Sequence, residues 1–199
     1  MPAKKAKPAA ALAVKPLTAA RFDDFVELFG PKRGASGGCW CMFWRQTPDE
    51  WRARTNESNR RAMRGIVDKR RRPGLLAYRD GIPVGWVSVA PRKEFVRLEG
   101  SRTLGPIDDA AVWSIVCFYI KAGQRGAGVG TALLDAAIDE AAKRGARTLE
   151  AYPVDTRGRK ASNGDVYTGL LPMFTRAGFR EVERRHPSRP IMRKTIRPR

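Results

Sequence analysis

The sequence predicts an α+β fold on a mixed, mostly antiparallel sheet of six or seven strands, and three observations carry that expectation. The runs Leu75–Tyr78 and Val84–Val89 flank the turn signal Arg79-Asp80-Gly81-Ile82-Pro83, as a hairpin requires. A second hairpin is expected from Phe179–Arg184 with Ile191–Ile196. Between them lies the most apolar run, Val112–Ile120, which suits a central strand and passes through a glycine-rich turn into a helical pattern.

Residues 1 to 11 alternate Ala, Lys and Pro and read as a disordered basic tail, because they offer nothing to bury. Leu12–Leu17 reads as a short strand. Thr18 is placed to cap a helix whose Phe22, Phe25, Val26 and Phe29 share one face, and Gly30-Pro31 stops it. Thr47-Pro48-Asp49-Glu50 is a capping box with proline at the first helical position, and Ser58 is read as the start of another helix running to Arg70–Arg72. Residues 91 to 110 are too polar and broken to assign. The helix after the glycine turn ends at Gly145, with Asp139 and Lys143 expected to pair at i, i+4.

At 199 residues and 42% hydrophobic content, the chain fits a single domain over residues 12 to 199. No apolar stretch reaches the roughly 18 residues of a membrane span, and no signal-peptide core is present, so a cytoplasmic protein without membrane attachment is expected. Three cysteines, Cys39, Cys41 and Cys117, and a lone histidine, His186, imply neither a disulfide framework nor a zinc site, so no metal is expected. The net charge of +19 attracts polyanions. Without stacked aromatics or a recognition motif, nucleic acid is expected only through nonspecific charge.

Residues 124 to 131 read Gln-Arg-Gly-Ala-Gly-Val-Gly-Thr in a strand, turn, helix order. Such glycines let the backbone approach a ligand and aim the first helix amides at an anion; they also fit a tight turn with packing glycines. The turn lacks the Gly-Lys-Ser/Thr ending of a nucleoside triphosphatase loop, and Gly126, Gly128 and Gly130 do not follow G-x-G-x-x-G.

Arg125, Gly128 and Gly130 resemble the R/Q-x-x-G-x-G/A pyrophosphate signature of the GNAT superfamily of N-acetyltransferases. Phe118-Tyr119-Ile120 resembles that family's fourth strand, Arg147–Tyr152 its fifth, and Met173–Phe179 its closing helix with Gly-Phe, so the likeness spans residues 111 to 183. It implies a sheet splayed between strands 4 and 5 with helices on both faces. It also implies acetyl-CoA as acyl donor, held by Phe118, Tyr119, Ile120, Arg125, Gly126, Ala127, Gly128, Val129, Gly130 and Thr131, and direct attack of an amine on the thioester. The oxyanion donor is a fourth-strand amide near Cys117 to Tyr119.

Relatives carry a tyrosine acid where this chain has Phe174, and an asparagine where it has Tyr167. Tyr167 is therefore the substitute acid, with Tyr119, Tyr152 and Cys117 further candidates and water another source of the proton; a packing role for Tyr167 is the alternative. Ser114 stands where some relatives carry a glutamate base. The family's acceptor region holds Gly37-Gly38-Cys39-Trp40-Cys41-Met42-Phe43-Trp44. Trp40 and Trp44 are read as a stacking or cation-π wall and Cys39 and Cys41 as reactive thiols; the alternative is that the Trp, Met and Phe residues plug the domain after a glycine hinge. The acceptor amine is not identified. Two other readings remain open: a noncatalytic acyl-CoA sensor, and a basic nucleic-acid-associated protein.

Overall fold

A computed structural model of the chain describes residues 12 to 199 except 31, 33, 36, 160, 161 and 163. The basic tail read from residues 1 to 11 lies outside the described residues. Seven strands, β1 (Leu12–Pro16), β2 (Gly74–Arg79), β3 (Ile82–Pro91), β4 (Trp113–Ile120), β5 (Thr148–Ala151), β6 (Arg180–Glu183) and β7 (Ile191–Thr195), form one sheet in the order β1-β2-β3-β4-β5-β7-β6. Only β4 with β5 is parallel, so the mixed, mostly antiparallel sheet expected from the sequence is what forms.

The two sheet faces follow from alternation along β2. Leu75 and Ala77 join a core with the long helix α5 (Val129–Lys143), whereas Leu76 and Tyr78 join one with α1 (Phe22–Phe29) and α3 (Asn56–Asp68). Helices thus cover both faces. Residues Val129, Leu133, Leu134, Ala137 and Ala141 form the buried stripe of α5, at the helical period that the sequence displays. Gly85 of β3 sets how close α5 comes: a Cβ there would lie 2.8 Å from Val129 Cγ1 and 3.1 Å from Leu133 Cδ1. Its missing side chain seats the start of α5 on the sheet.

Several local expectations shift. Thr18 does not cap α1; a short 3-10 turn (Ala19–Arg21) intervenes, and its hydroxyl accepts from Arg21 Nη1 instead. The Thr47 box opens α2 (Pro48–Ala53) as read. For α3 the cap is Thr55, and Ser58 is its reciprocal partner, with both hydroxyls accepting from the opposite amide. The unassigned stretch holds a short helix, α4 (Val96–Glu99), and the closing helix is α6 (Leu171–Arg176). Asp139 ion-pairs with Arg199 at 3.4 Å, not with Lys143.

One irregularity shapes the sheet. Ser88 pairs with Cys117 and Val89 with Ile115, so Val116 is an extra residue in β4. Such a bulge bends and twists its strand. The β4–β5 ladder covers only Trp113–Ile115 against Leu149–Ala151 and stops where the bulge begins. Beyond it, β5's continuation turns away, and Val154 bridges Leu170 instead.

Below the opening, Glu150 is fully buried and bound by three groups: Arg92 Nη1 at 2.7 Å, Arg193 Nε at 2.8 Å and the Tyr152 hydroxyl at 2.7 Å. A carboxylate without water needs this many donors. Replacing Arg92 by Met leaves it undercompensated. Arg92→Met is expected to lower unfolding free energy by about 3 kcal/mol, read as a lower urea midpoint; an unchanged midpoint would contradict the role given to this pair.

Candidate functional site

The glycine-rich loop joins β4 to α5 at the edge of the splay. Gly126 and Gly128 adopt φ of 76° and 77°, a region costly for residues with a Cβ. The first bond closing onto α5 runs from the Ala132 amide to the Gly128 carbonyl, 3.0 Å. The amides of Gly126 to Thr131 meet no acceptor among the described residues. Six free donors at a helix start make an anion site in the sense of the helix dipole. Arg79 braces the loop from β2, donating to Gln124 Oε1 at 2.7 Å and to the Ala127 carbonyl at 3.1 Å. Arg125 is exposed beside it. Gly130 faces inward, with an added Cβ lying 3.5 Å from Ile120 and Met173 side-chain atoms.

Alternation along β4 decides which amides face the splay. Lys121 donates to Val84 of β3, so the amides of Cys117 and Tyr119 point toward β3 as well, and those of Phe118 and Ile120 point the other way. The Phe118 amide donates to the Tyr167 carbonyl at 2.6 Å. The chain between β5 and α6 therefore closes over β4 at one backbone bond. Phe174 is fully buried there, edge-on to Phe118 (6.1 Å) and Phe179 (5.2 Å), in apolar surroundings.

The candidate catalytic residues separate in space. Ser114 and Tyr152 are both fully buried, and the Ser114 hydroxyl donates to the Tyr152 oxygen at 2.9 Å while Tyr152 donates onward to Glu150. Ser114 thus belongs to the buried ion network, which removes it from an open catalytic position. Cys117 lies beside Cys41, and hydrogen bonding to that thiol together with burial pushes its pKa well above the usual range. It stays a thiol. Tyr167 remains at the splay, half-buried, with its pKa raised chiefly by burial and its ring 6.4 Å from those of Phe43 and Trp44.

The residues assigned to the acceptor divide similarly. Trp40 is fully buried, stacked on Phe29 at 5.6 Å, and its indole N–H bonds Asn56, so it is core and not wall. Cys41 is buried and accepts from Trp86 Nε1 at 2.8 Å. Cys39 is partly buried, and desolvation first, then Cys41, pushes its thiol up to about 11. The reactive-thiol reading is corrected accordingly, since the attacking species is the thiolate.

Only Trp44 of the four lines an opening. It borders a groove of about 710 Å³ with Phe43, Arg97, Tyr167, His186 and Arg189. Arg97 lies in the stretch too broken to assign, and Arg189 between the two segments of the expected C-terminal hairpin. Neither carried a motif that would have singled it out. With a pKa near 11 only about one Cys39 in a thousand is thiolate at pH 8, so iodoacetamide labelling of the native protein should be negligible there and rise steeply toward pH 11. Fast labelling of Cys39 at pH 8 would contradict the burial described.

Comparison with known proteins places this arrangement. The profile of the Acetyltransferase (GNAT) family matches residues 39–163. No curated protein is a significant match in sequence. Among solved structures, the PaiA N-acetyltransferase of Thermoplasma acidophilum, in complex with coenzyme A, is 15% identical with a TM-score of 0.50 over 94% of this chain and 99% of its own. A GNAT-family acetyltransferase of Streptococcus pneumoniae is 16% identical, TM-score 0.54, over 94% and 99%. The ribosomal-protein-alanine N-acetyltransferase of Brucella melitensis is 20% identical, TM-score 0.52, over 92% and 99%. These similarities show the fold. With the profile covering well over half of its length and the splayed sheet in place, the chain belongs to the GNAT acetyltransferase family.

Proposed function

We propose that this protein transfers an acetyl group from acetyl-CoA to an amine by direct attack on the thioester. The observation that carries the reading is the set of free amides from Gly126 to Thr131 at the start of α5, beside the opening between β4 and β5. These donors fit a diphosphate: they converge at a helix N-terminus, and the glycines leave the backbone bare. The coenzyme A in the Thermoplasma structure supports the same assignment here. Arg125 and the brace from Arg79 add positive charge close by.

The chemistry needs three things from the chain. An extended arm is held by strand-like bonds to β4, whose Phe118 and Ile120 amides face the splay. The Phe118 N–H, now satisfied by the Tyr167 carbonyl at 2.6 Å, is the donor for the thioester oxygen, which takes that carbonyl's place. As the neutral amine nitrogen bonds to the carbonyl carbon, negative charge gathers on that oxygen, and the same amide stabilises it. Collapse of the tetrahedral intermediate breaks the C–S bond. The amine proton leaves to solvent, the departing thiolate takes a proton from the Tyr167 hydroxyl, which burial keeps protonated at neutral pH, and the resulting phenolate regains a proton from solvent.

Phe174 takes no part in proton transfer. Its ring packs edge-on against Phe118 and Phe179 in the buried apolar core between β4 and α6. Moving the acid to Tyr167 suits a chain that carries its proton on the loop and not on the helix.

Two outcomes test the assignment. Gly128→Val should weaken acetyl-CoA binding at least tenfold by calorimetry, since a β-branched residue resists the φ of 77° and crowds the anion. Tyr167→Phe should lower kcat for thiol release at least tenfold with acetyl-CoA affinity unchanged. Unaltered kinetics would remove Tyr167 from the mechanism, and acetyl-CoA binding without thiol release from any amine would favour a sensor.

A further inference from the structure

The groove beside Tyr167 has a charge pattern that the acetyl-transfer reading does not use. Its lining contributes Arg97, Arg189 and His186, and no Asp or Glu among the described residues. Cationic acceptors such as polyamines are held by carboxylates, which this wall lacks. Neither arginine pairs with a carboxylate among the described residues. Arg97 bonds only carbonyl oxygens, with Nε on Phe43 at 2.9 Å and Nη2 on Thr47 at 3.1 Å. Arg189 bonds the Thr168 hydroxyl through Nη1 at 2.7 Å. Those contacts fix both guanidinium groups and leave other N–H bonds of each for a ligand.

A second, independent observation comes from Trp44. It lines the groove, is only 6% exposed, and its indole Nε1 meets no hydrogen-bond partner among the described residues. A buried N–H without an acceptor costs free energy, and an incoming oxygen anion removes that cost. Aromatic rings supply part of the wall. Phe43 carries the Arg97 guanidinium at 4.4 Å, and the Tyr167 ring lies 5.9 Å from that of Arg189. Tyr167 also joins the two sites, because its carbonyl sits on the Phe118 amide while its ring borders the groove.

We infer that the groove selects small amines bearing an anionic oxygen group, a carboxylate or a phosphate, which Arg97, Arg189 and the Trp44 N–H receive while the amine faces the Phe118 amide. This specificity rests on the acetyl-transfer reading of the same site. The anion is the handle and the amine is the nucleophile. Carboxylate and phosphate share the geometry that a guanidinium fork reads, and the volume of about 710 Å³ admits either on a small molecule.

The test compares matched acceptors by thiol release from acetyl-CoA: β-alanine against β-alaninamide for carboxylate, and 2-aminoethyl phosphate against ethanolamine for phosphate, with putrescine as the cationic control. At least one anionic acceptor should exceed its neutral partner at least tenfold in kcat/KM, through KM, and the pair that does so identifies the anion. Arg97→Gln and Arg189→Gln should each collapse that ratio below about threefold, while the Lys variants, which keep the charge and lose the fork, should fall between Gln and the native arginine. Equal rates within both pairs, or preference for putrescine, would overturn the inference. A second readout does not need turnover: the Trp44 indole N–H cross-peak, assigned with Trp44→Phe, should move on titration with β-alanine or 2-aminoethyl phosphate and not with ethanolamine. No thiol release with any amine together with that shift would fail acetyl transfer and uphold the anion site. No shift with either anion would overturn the site itself.

Discussion

The extra residue Val116 in β4 is the constraint on which the rest of the architecture depends. A regular strand would continue its parallel ladder with β5 and satisfy every amide on that edge. The bulge ends the ladder at Ile115, and the amides of Phe118 and Ile120 then face away from β3 with no β5 residue opposite, Phe118 bonding the Tyr167 carbonyl instead. At the same step the alternation resets, so that Phe118 faces α5 and Cys117 faces the α1 side. Everything proposed for catalysis lies within this opening or at its rim. The glycine loop stands at one end, Tyr167 closes the other, and the arginine groove adjoins Tyr167.

Rigid surroundings keep the opening in place. Gly85 lets α5 settle against β3, which fixes the start of the helix relative to the end of β4. On the opposite side, Glu150 ties Arg92, which also pairs with Glu99, to Arg193, which also pairs with Asp108. These contacts change the meaning of the charge. Part of the +19 is structural: Arg184 bonds Asp155 and Glu181, and Arg185 donates to the carbonyls of Gly105 and Pro106. The basic C-terminal run is thus largely fastened to the fold, and the arginines left without carboxylates, such as Arg97 and Arg189, carry more information than the sum.

How much of this was legible depends on the range of the interaction. Local signals read well: the β2–β3 hairpin around Asp80-Gly81, the Thr47 box and the α5 stripe each depend on residues a few positions apart. The offset at α3 is also local: Ser58, read as the helix start, is the capping-box partner of Thr55. Long-range facts were hidden. Nothing marks Val116 as a bulge, since the strand stays apolar through it. Trp40 and Trp44 sit four residues apart with similar chemistry and are both buried, yet one stacks against Phe29 in the core and the other lines the groove. Ser114 meets Tyr152 only because parallel pairing brings Ser114 opposite Glu150.

The central claim is that main-chain nitrogens between Gly126 and Thr131 grip a diphosphate at the mouth of the splayed sheet. The most direct test is an amide-resolved NMR titration with coenzyme A at high salt, which suppresses nonspecific attraction to the basic surface. The account predicts that the largest shifts fall on residues 126 to 131 and on Phe118 and Ile120. Saturable binding that leaves those amides unmoved and perturbs only the arginine-rich faces would contradict it.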